Sequence, residues 1–274
     1  MLCIVYIMLI YIILLLCILC NMFMKRDNLN EFSDLDEHGY VIKHNIISDD
    51  VLKIISNHWD KSEFRQIDTL IKNNRDIKDF IYTHIQLKEY QFMDYIMFLE
   101  NTILHTCHRD NNSDRFNNTN RSYTIIIYID NMKSCLDVVP KSQNDKLGLY
   151  LYDKTNTFLC KSGSIILFDA SLVHCGSIDS DPSNRRIQLK VSHKSDLENL
   201  SFYQNYHKII NKYNTNSEIS KRIQKQFSCQ FPIISDITQG KDKSYITGNL
   251  SYLTQVFSKL FYSDGDFYKL QDAF

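Results

Sequence analysis

Between residues 122 and 193 the chain strings together short β-branched and aromatic segments with no helical pattern between them. SYTIIIYID (122–130), CLDVV (135–139, stopped by Pro140), LGLYLYD (147–153), SGSIILFD (162–169) and RRIQLKVSH (185–193) each have the length and composition of a strand. Serial short strands must bury their apolar faces against one another, which points to a β-sandwich or jelly roll. The last segment alternates cleanly, with Ile187, Leu189 and Val191 on one face and Gln188, Lys190 and Ser192 on the other. Side chains two apart share a face, so the apolar set is expected to point inward.

The flanks read differently. Gly39 opens a short strand over Tyr40–Ile42, and Ser48 or Asp49 can cap a helix carrying Val51, Leu52, Ile54, Ile55 and Trp59 at helical spacing. Further helices are predicted around 64–72 and 75–84. Phe92, Ile96, Leu99 and Ile103 lie on one helical face, although the end of that run fits a strand equally well. KIINKY and YLTQVFSKLFY, beyond residue 200, also read as helical. The expected fold is therefore mainly β with flanking helices (α+β), a double-stranded β-helix or jelly-roll core followed by a partly helical C-terminal extension. Its divisions are 1–24, a polar tether at 25–36, the jelly-roll domain at 37–195 and the extension at 196–274.

Residues 1–24 contain no charged side chain and are long enough, at about 1.5 Å per residue, to span the roughly 30 Å of a bilayer interior. No basic stretch precedes them and no small-residue cleavage site follows, so an uncleaved transmembrane anchor is expected rather than a signal peptide. Lys25 and Arg26 after the span favour a single-pass membrane protein with a cytoplasmic catalytic domain. Among the eight cysteines, Cys3, Cys17 and Cys20 sit in the apolar span. Cys107, Cys135, Cys160, Cys175 and Cys229 contain no C-x-x-C and are expected as free thiols. A net charge of −1 offers no nucleic-acid-binding surface. Alanine occurs only at Ala170 and Ala273, while Asn, Ile, Lys and Tyr abound; this usage suggests an AT-rich genome, viral or protist.

Chemistry concentrates in four residues. His108 and Asp110 form H-x-D, His174 lies in FDASLVH, and Arg185 begins the alternating strand. Two imidazoles and a carboxylate on one side of an ion are the facial triad of iron(II) oxygenases, with positions left open for cosubstrate and oxygen. At a strand end, H-x-D directs both side chains to the same face. Arg185 shares parity with Ile187, Leu189 and Val191, and an inward guanidinium requires an anion. It is therefore the expected clamp for the far carboxylate of a 2-oxo acid, with a salt bridge to a core Asp as the bland alternative. His105 offers an H-x-x-H alternative; His193 and His207 read as surface or structural residues.

These segments resemble the phytanoyl-CoA dioxygenase-like branch of the iron(II)/2-oxoglutarate oxygenases over roughly residues 36–195. HGYVIKHNIISDDVLKII is similar to that family's opening, His108-Arg109-Asp110 to its H-x-D, and CLDVVPKSQ to its P-G-S-H turn. Gly163 with ILFDASLVH is similar to the approach to the distal His, and Arg185 has the family spacing after His174. Lys141, Gln143 and Ser164 depart from the pattern, none at a ligand position.

The resemblance implies Fe(II) at His108, Asp110 and His174. It also implies 2-oxoglutarate held by Arg185 with help from a hydroxyl of Tyr123 or Thr124, with O2 as oxidant. Hydroxylation of a small-molecule or lipid substrate, with release of succinate and CO2, is the expected activity; the carboxylate at 110 counts against halogenation. A non-catalytic membrane-anchored jelly-roll protein and a prolyl-type protein hydroxylase are the alternatives. Substrate identity and oligomeric state are not legible.

Overall fold

The computed structural model describes residues 34–85, 88–110, 119–145, 155–179, 183–232 and 252–274. Two β-sheets face each other. The larger runs in the order β1-β6-β3-β8-β2-β9-β10 and the smaller in the order β5-β4-β7. In chain order the strands are β1 (Tyr40–Lys43), β2 (Tyr90–Glu100), β3 (Tyr123–Tyr128), β4 (Leu136–Val138), β5 (Asn156–Thr157), β6 (Ile165–Asp169), β7 (His174–Gly176), β8 (Arg186–His193), β9 (Tyr206–Asn211) and β10 (Gln271–Asp272). The expected jelly-roll core is present. Its helices are α1 (Leu35–His38), α2 (Asp49–Asp60), α3 (Phe64–Asn73), α4 (Arg75–His84), α5 (Glu218–Gln230) and α6 (Tyr252–Tyr262).

The helices decide which sheet face is which. In α2 to α4, Leu52, Ile55, Trp59, Ile67, Ile71, Ile77 and Ile81 are buried at helical spacing. They cover one face of the large sheet and form a continuous core with Ile125, Ile127, Ile165, Leu167, Ile187, Leu189 and Val191. Each buried aliphatic side chain there contributes roughly 1.5–3 kcal/mol. The opposite face looks into the jelly roll, where Tyr40, Ile42, Ile126, Tyr128, Ile166 and Phe168 meet Leu136, Val138 and Phe158 from the smaller sheet. The apolar set of β8 thus points away from the barrel interior, and its polar set points in. Every residue of β8 from Arg186 to Ser192 is buried, so polarity alone did not mark the solvent side.

Residues 90–100 are a strand and not the helix predicted from Phe92, Ile96, Leu99 and Ile103. Ile96 and Phe98 pack under the helices, while Met93, Tyr95 and Leu99 pack on the other side. With both faces apolar the two-residue alternation disappears, and a fortuitous helical subset remains. A bulge between Phe92 and Ile96 shifts the register further. KIINKY likewise contributes to β9, which runs parallel to β2, while YLTQVFSKLFY forms α6 as expected. LGLYLYD lies outside the described residues.

Two further expectations are corrected. No helix among the described residues is long and apolar enough to cross a membrane, so the membrane-anchored architecture, partner and location are withdrawn; residues 1–24 themselves lie outside the described residues. The thiols are not all free. Cys107 pairs with Cys229 and Cys135 with Cys160, each joining segments remote in sequence, and Cys175 is buried outside both disulfides, its sulfur 3.4 Å from that of Cys107. The spacing argument missed both because pairing depends on which strands become neighbours.

Candidate metal centre

His108 and His174 are brought together by backbone pairing. Each donates its N–H to the other's carbonyl, at 2.9 and 3.0 Å, in an isolated antiparallel bridge that continues the smaller sheet. Two residues on, the Asp110 amide donates to the Ala170 carbonyl at 2.9 Å, which fixes the carboxylate on the same side as His108. His108, Asp110 and His174 therefore converge, with Asp110 Oδ1 lying 3.8 Å from Nε2 of each imidazole.

The hydrogen bonds behind the triad set its donor atoms. His108 Nδ1 donates to the Thr106 carbonyl at 2.8 Å and His174 Nδ1 to the Leu172 carbonyl at 2.9 Å. A carbonyl can only accept, so both Nε2 atoms present lone pairs inward, the orientation a metal requires. Asp110 divides its two oxygens. Oδ1 faces the imidazoles, while Oδ2 accepts from Thr124 Oγ, from Gln188 Nε2 at 3.3 Å and from the Lys190 ammonium at 3.1 Å.

Electrostatics keep Asp110 and His174 in their ligating forms. Burial alone would raise the Asp110 carboxyl, but Lys190, His174, His108 and the Thr124 hydroxyl together hold it well below the usual carboxylate range. Burial, with His108 beside it, lowers His174 to about 4 and keeps it neutral at pH 7. Two imidazoles with inward Nε2 atoms and an ionised carboxylate fit a divalent ion, and the N2O donor set suits iron(II).

The open side of the triad faces a partly open cavity with His108, Asp110, Gln188 and Lys190 in its wall. Tyr95, Tyr203, Tyr206 and Tyr268 give it an aromatic lining, and Thr254 of α6 contributes from the C-terminal segment. The donor set is a two-imidazole, one-carboxylate group set in a jelly roll. No family model matches the chain, and no curated protein matches it. Among solved structures, HygX from Streptomyces hygroscopicus with nickel and 2-oxoglutarate bound is 6% identical, with a TM-score of 0.48 over 58% of this chain and 84% of that one. AviO1 from Streptomyces viridochromogenes is 13% identical, with a TM-score of 0.43 over 63% and 97%. EvdO2 from Micromonospora carbonacea, complexed with 2-oxoglutarate, is 10% identical, with a TM-score of 0.43 over 62% and 92%. Overlaps this shallow leave the assignment to the geometry of the triad itself, and they give the viral origin suggested by residue usage no support.

The remaining sequence-predicted residues are placed elsewhere or in other roles. Arg185, like Arg186, does not line the cavity. Its guanidinium engages Asp130 at 2.9 Å and reaches Asp60 at 3.4 Å, and the hydrogen bonds it donates to Asp130 raise its pKa. Tyr123 lies on the helical side, its ring 5.6 Å from that of Tyr90. Thr124 faces the interior, but its hydroxyl serves Asp110. His105, the alternative ligand, is buried against Gln224 at 2.9 Å, and burial lowers it to about 4.

The interior face of β8 supplies what sequence reasoning missed. Arg186, Gln188 and Lys190 point into the jelly roll in steps of two residues. Arg186 is buried and donates only to main-chain carbonyls, of Asn184 at 3.0 Å and Thr102 at 2.9 Å. Among the described residues it has no carboxylate partner, and burial lowers its pKa against the opposing influence of Tyr128. The Tyr128 hydroxyl, also fully buried, has no hydrogen-bond partner among the described residues. The only available signal was the polarity of Gln188 and Lys190 in a strand whose other face is wholly aliphatic.

Proposed function

We propose that this protein is an iron(II)- and 2-oxoglutarate-dependent oxygenase that hydroxylates a small organic substrate with release of succinate and CO2. The convergence of His108, Asp110 and His174 on one side of a cavity carries the reading. When bound, iron and 2-oxoglutarate supply the oxidising chemistry with O2. The chain's residues bind, orient and shield. His108 Nε2, His174 Nε2 and Asp110 Oδ1 would hold the ion, and the carbonyls of Thr106 and Leu172 fix both imidazole tautomers. Thr124, Gln188 and Lys190 occupy the second oxygen of Asp110 and so favour a one-oxygen ligand. The tyrosine-rich wall limits access of bulk water.

The distal carboxylate of 2-oxoglutarate is assigned to Arg186 rather than Arg185. A buried guanidinium without a counter-charge, next to a buried hydroxyl without a partner, is an anion site made of chain atoms alone. The finer resemblance, to the phytanoyl-CoA dioxygenase-like branch, is supported by the H-x-D, by Gly163 with ILFDASLVH and by the opening strand and helix. The role given to Arg185 is not part of that support.

The test is 2-oxoglutarate turnover by the full chain with Fe(II) and ascorbate, read as succinate release. His108→Ala is expected to abolish it. Undiminished succinate release by that variant would remove the ligand assignment.

A further inference from the structure

The residues that lead into the first ligand are held by the C-terminal helices at three consecutive positions. His105 is hydrogen-bonded to Gln224 of α5 at 2.9 Å, and the Thr106 hydroxyl to the Tyr262 hydroxyl, at the end of α6, at 2.5 Å. The Cys107 amide donates to Ser228 Oγ of α5 at 2.8 Å, and Cys107 is also joined to Cys229. The distal ligand is supported differently. His174 pairs with Val138 of β4, and the amide of Val173 donates to Ser142 Oγ at 2.8 Å, both within the jelly roll.

Tyr262 has the most direct line to His108. Its side chain is buried, and its ring stacks on that of Phe267 with centroids 3.9 Å apart and 9° between the planes. Packing therefore fixes where its hydroxyl sits. That hydroxyl is hydrogen-bonded to the Thr106 side chain and main chain and to Tyr268, a residue of the cavity wall. Thr106 in turn accepts the Nδ1 proton of His108 at its carbonyl. Water is excluded from this run of groups, so each hydrogen bond in it is strengthened by its low-dielectric surroundings.

We propose that Tyr262 is a positioning residue for the first metal ligand, and that the C-terminal segment carrying it is part of the metal centre. The inference rests on the oxygenase reading of the triad. Hydrogen bonds weaken steeply with misalignment, so a small rotation at Thr106 would release the His108 imidazole to turn away from Asp110 and His174. Tyr262 opposes that rotation by holding Thr106 on α6. Residues beyond 200 thereby do for His108 what the smaller sheet does for His174.

The experiment measures Mn(II) affinity of the full chain by titration calorimetry and by the Mn(II) electron paramagnetic resonance signal. Tyr262→Phe, which keeps the stacked ring, and Thr106→Val, which keeps the shape, are each expected to weaken Mn(II) roughly three- to tenfold. The double variant should lose no more than the weaker of the two, because both remove one interaction. Thr106→Ser retains the hydroxyl and should stay within about twofold of wild type. Arg185→Met, which disturbs an ion pair away from the cavity, should leave Mn(II) affinity unchanged and so separates positioning from general loss of stability.

Single variants that bind Mn(II) as wild type does would overturn the inference and leave the triad reading intact. So would losses that multiply in the double variant, or an equal loss in Arg185→Met. Wild type that binds no more Mn(II) than His108→Ala would overturn both readings. Circular dichroism on each variant identifies misfolding. Should the double variant not fold, the contrast between Thr106→Val and Thr106→Ser decides: equal affinities would exclude a role for the hydroxyl pair.

Discussion

Tyr128 and Arg186 stand directly opposite each other across β3 and β8, and both point into the jelly roll. The phenol has no hydrogen-bond partner among the described residues, and the guanidinium has only two main-chain carbonyls. Arg185, one residue earlier, is held on the other side of the sheet edge by Asp130. A one-residue change of position separates a part-buried ion pair from a guanidinium in the interior.

Arg186→Met is accordingly expected to weaken 2-oxoglutarate binding to the Mn(II)-loaded protein by roughly 10- to 100-fold, the range for loss of charge-assisted hydrogen bonds. Arg185→Met should leave that affinity within about twofold and lower stability by about 1–3 kcal/mol, since it removes hydrogen bonds to the part-buried Asp130 carboxylate. Calorimetric titration of both variants measures this. Equal losses of affinity would remove the distinction between the two arginines.

Tyr128→Phe should have two effects of opposite sign. Deleting a buried hydroxyl that lacks a partner is expected to raise the stability of the ligand-free protein by about 1 kcal/mol. The same deletion should weaken 2-oxoglutarate several-fold, because the anion loses a donor. Urea denaturation and a binding titration on one preparation test the pair. A destabilised variant would mean that the hydroxyl already has a partner.

Stability should fall on the acid side. His105 and His174 are both lowered to about 4 by burial, against an ordinary value of 6.5. The unfolded chain then takes up protons that the folded chain refuses. The full contribution is present above pH 6.5, and it is lost as pH falls from 6.5 to about 4, by up to about 1.4 kcal/mol per unit for each group. In metal-free protein, urea midpoints at pH 7.5, 5.5 and 4.5 should descend, and His105→Phe should make the descent shallower. An unchanged slope would show that His105 takes up its proton equally in the folded and unfolded chain.

Non-reducing peptide mapping of protein prepared without reductant should yield Cys107–Cys229 and Cys135–Cys160, with Cys175 alkylated only after denaturation. Cys229 lies on α5 and Cys107 precedes the first ligand, so reduction is expected to cost about 2–5 kcal/mol of stability. Alkylation of all five thiols in denaturant alone would exclude both bridges.

The sequence by itself determined the elements whose signal is local. The amphipathic helix α2, the β-branched strands β3, β6 and β8, and the pairing of His108 with Asp110 on one face all follow from periodicity over a few residues, although Ser48 makes no side-chain cap on α2. The distal ligand was also legible, because His174 follows a strand of the kind that a jelly roll sets beside the first. Only the tertiary structure decided which side of β8 is the interior. Helices α2 to α4 bury Ile187, Leu189 and Val191 against themselves, and the smaller sheet encloses the polar face. A strand buried on both sides carries no exposed face to orient it. The choice between Arg185 and Arg186, and the presence of Lys190 beside Asp110, therefore depended on contacts between residues far apart in the chain.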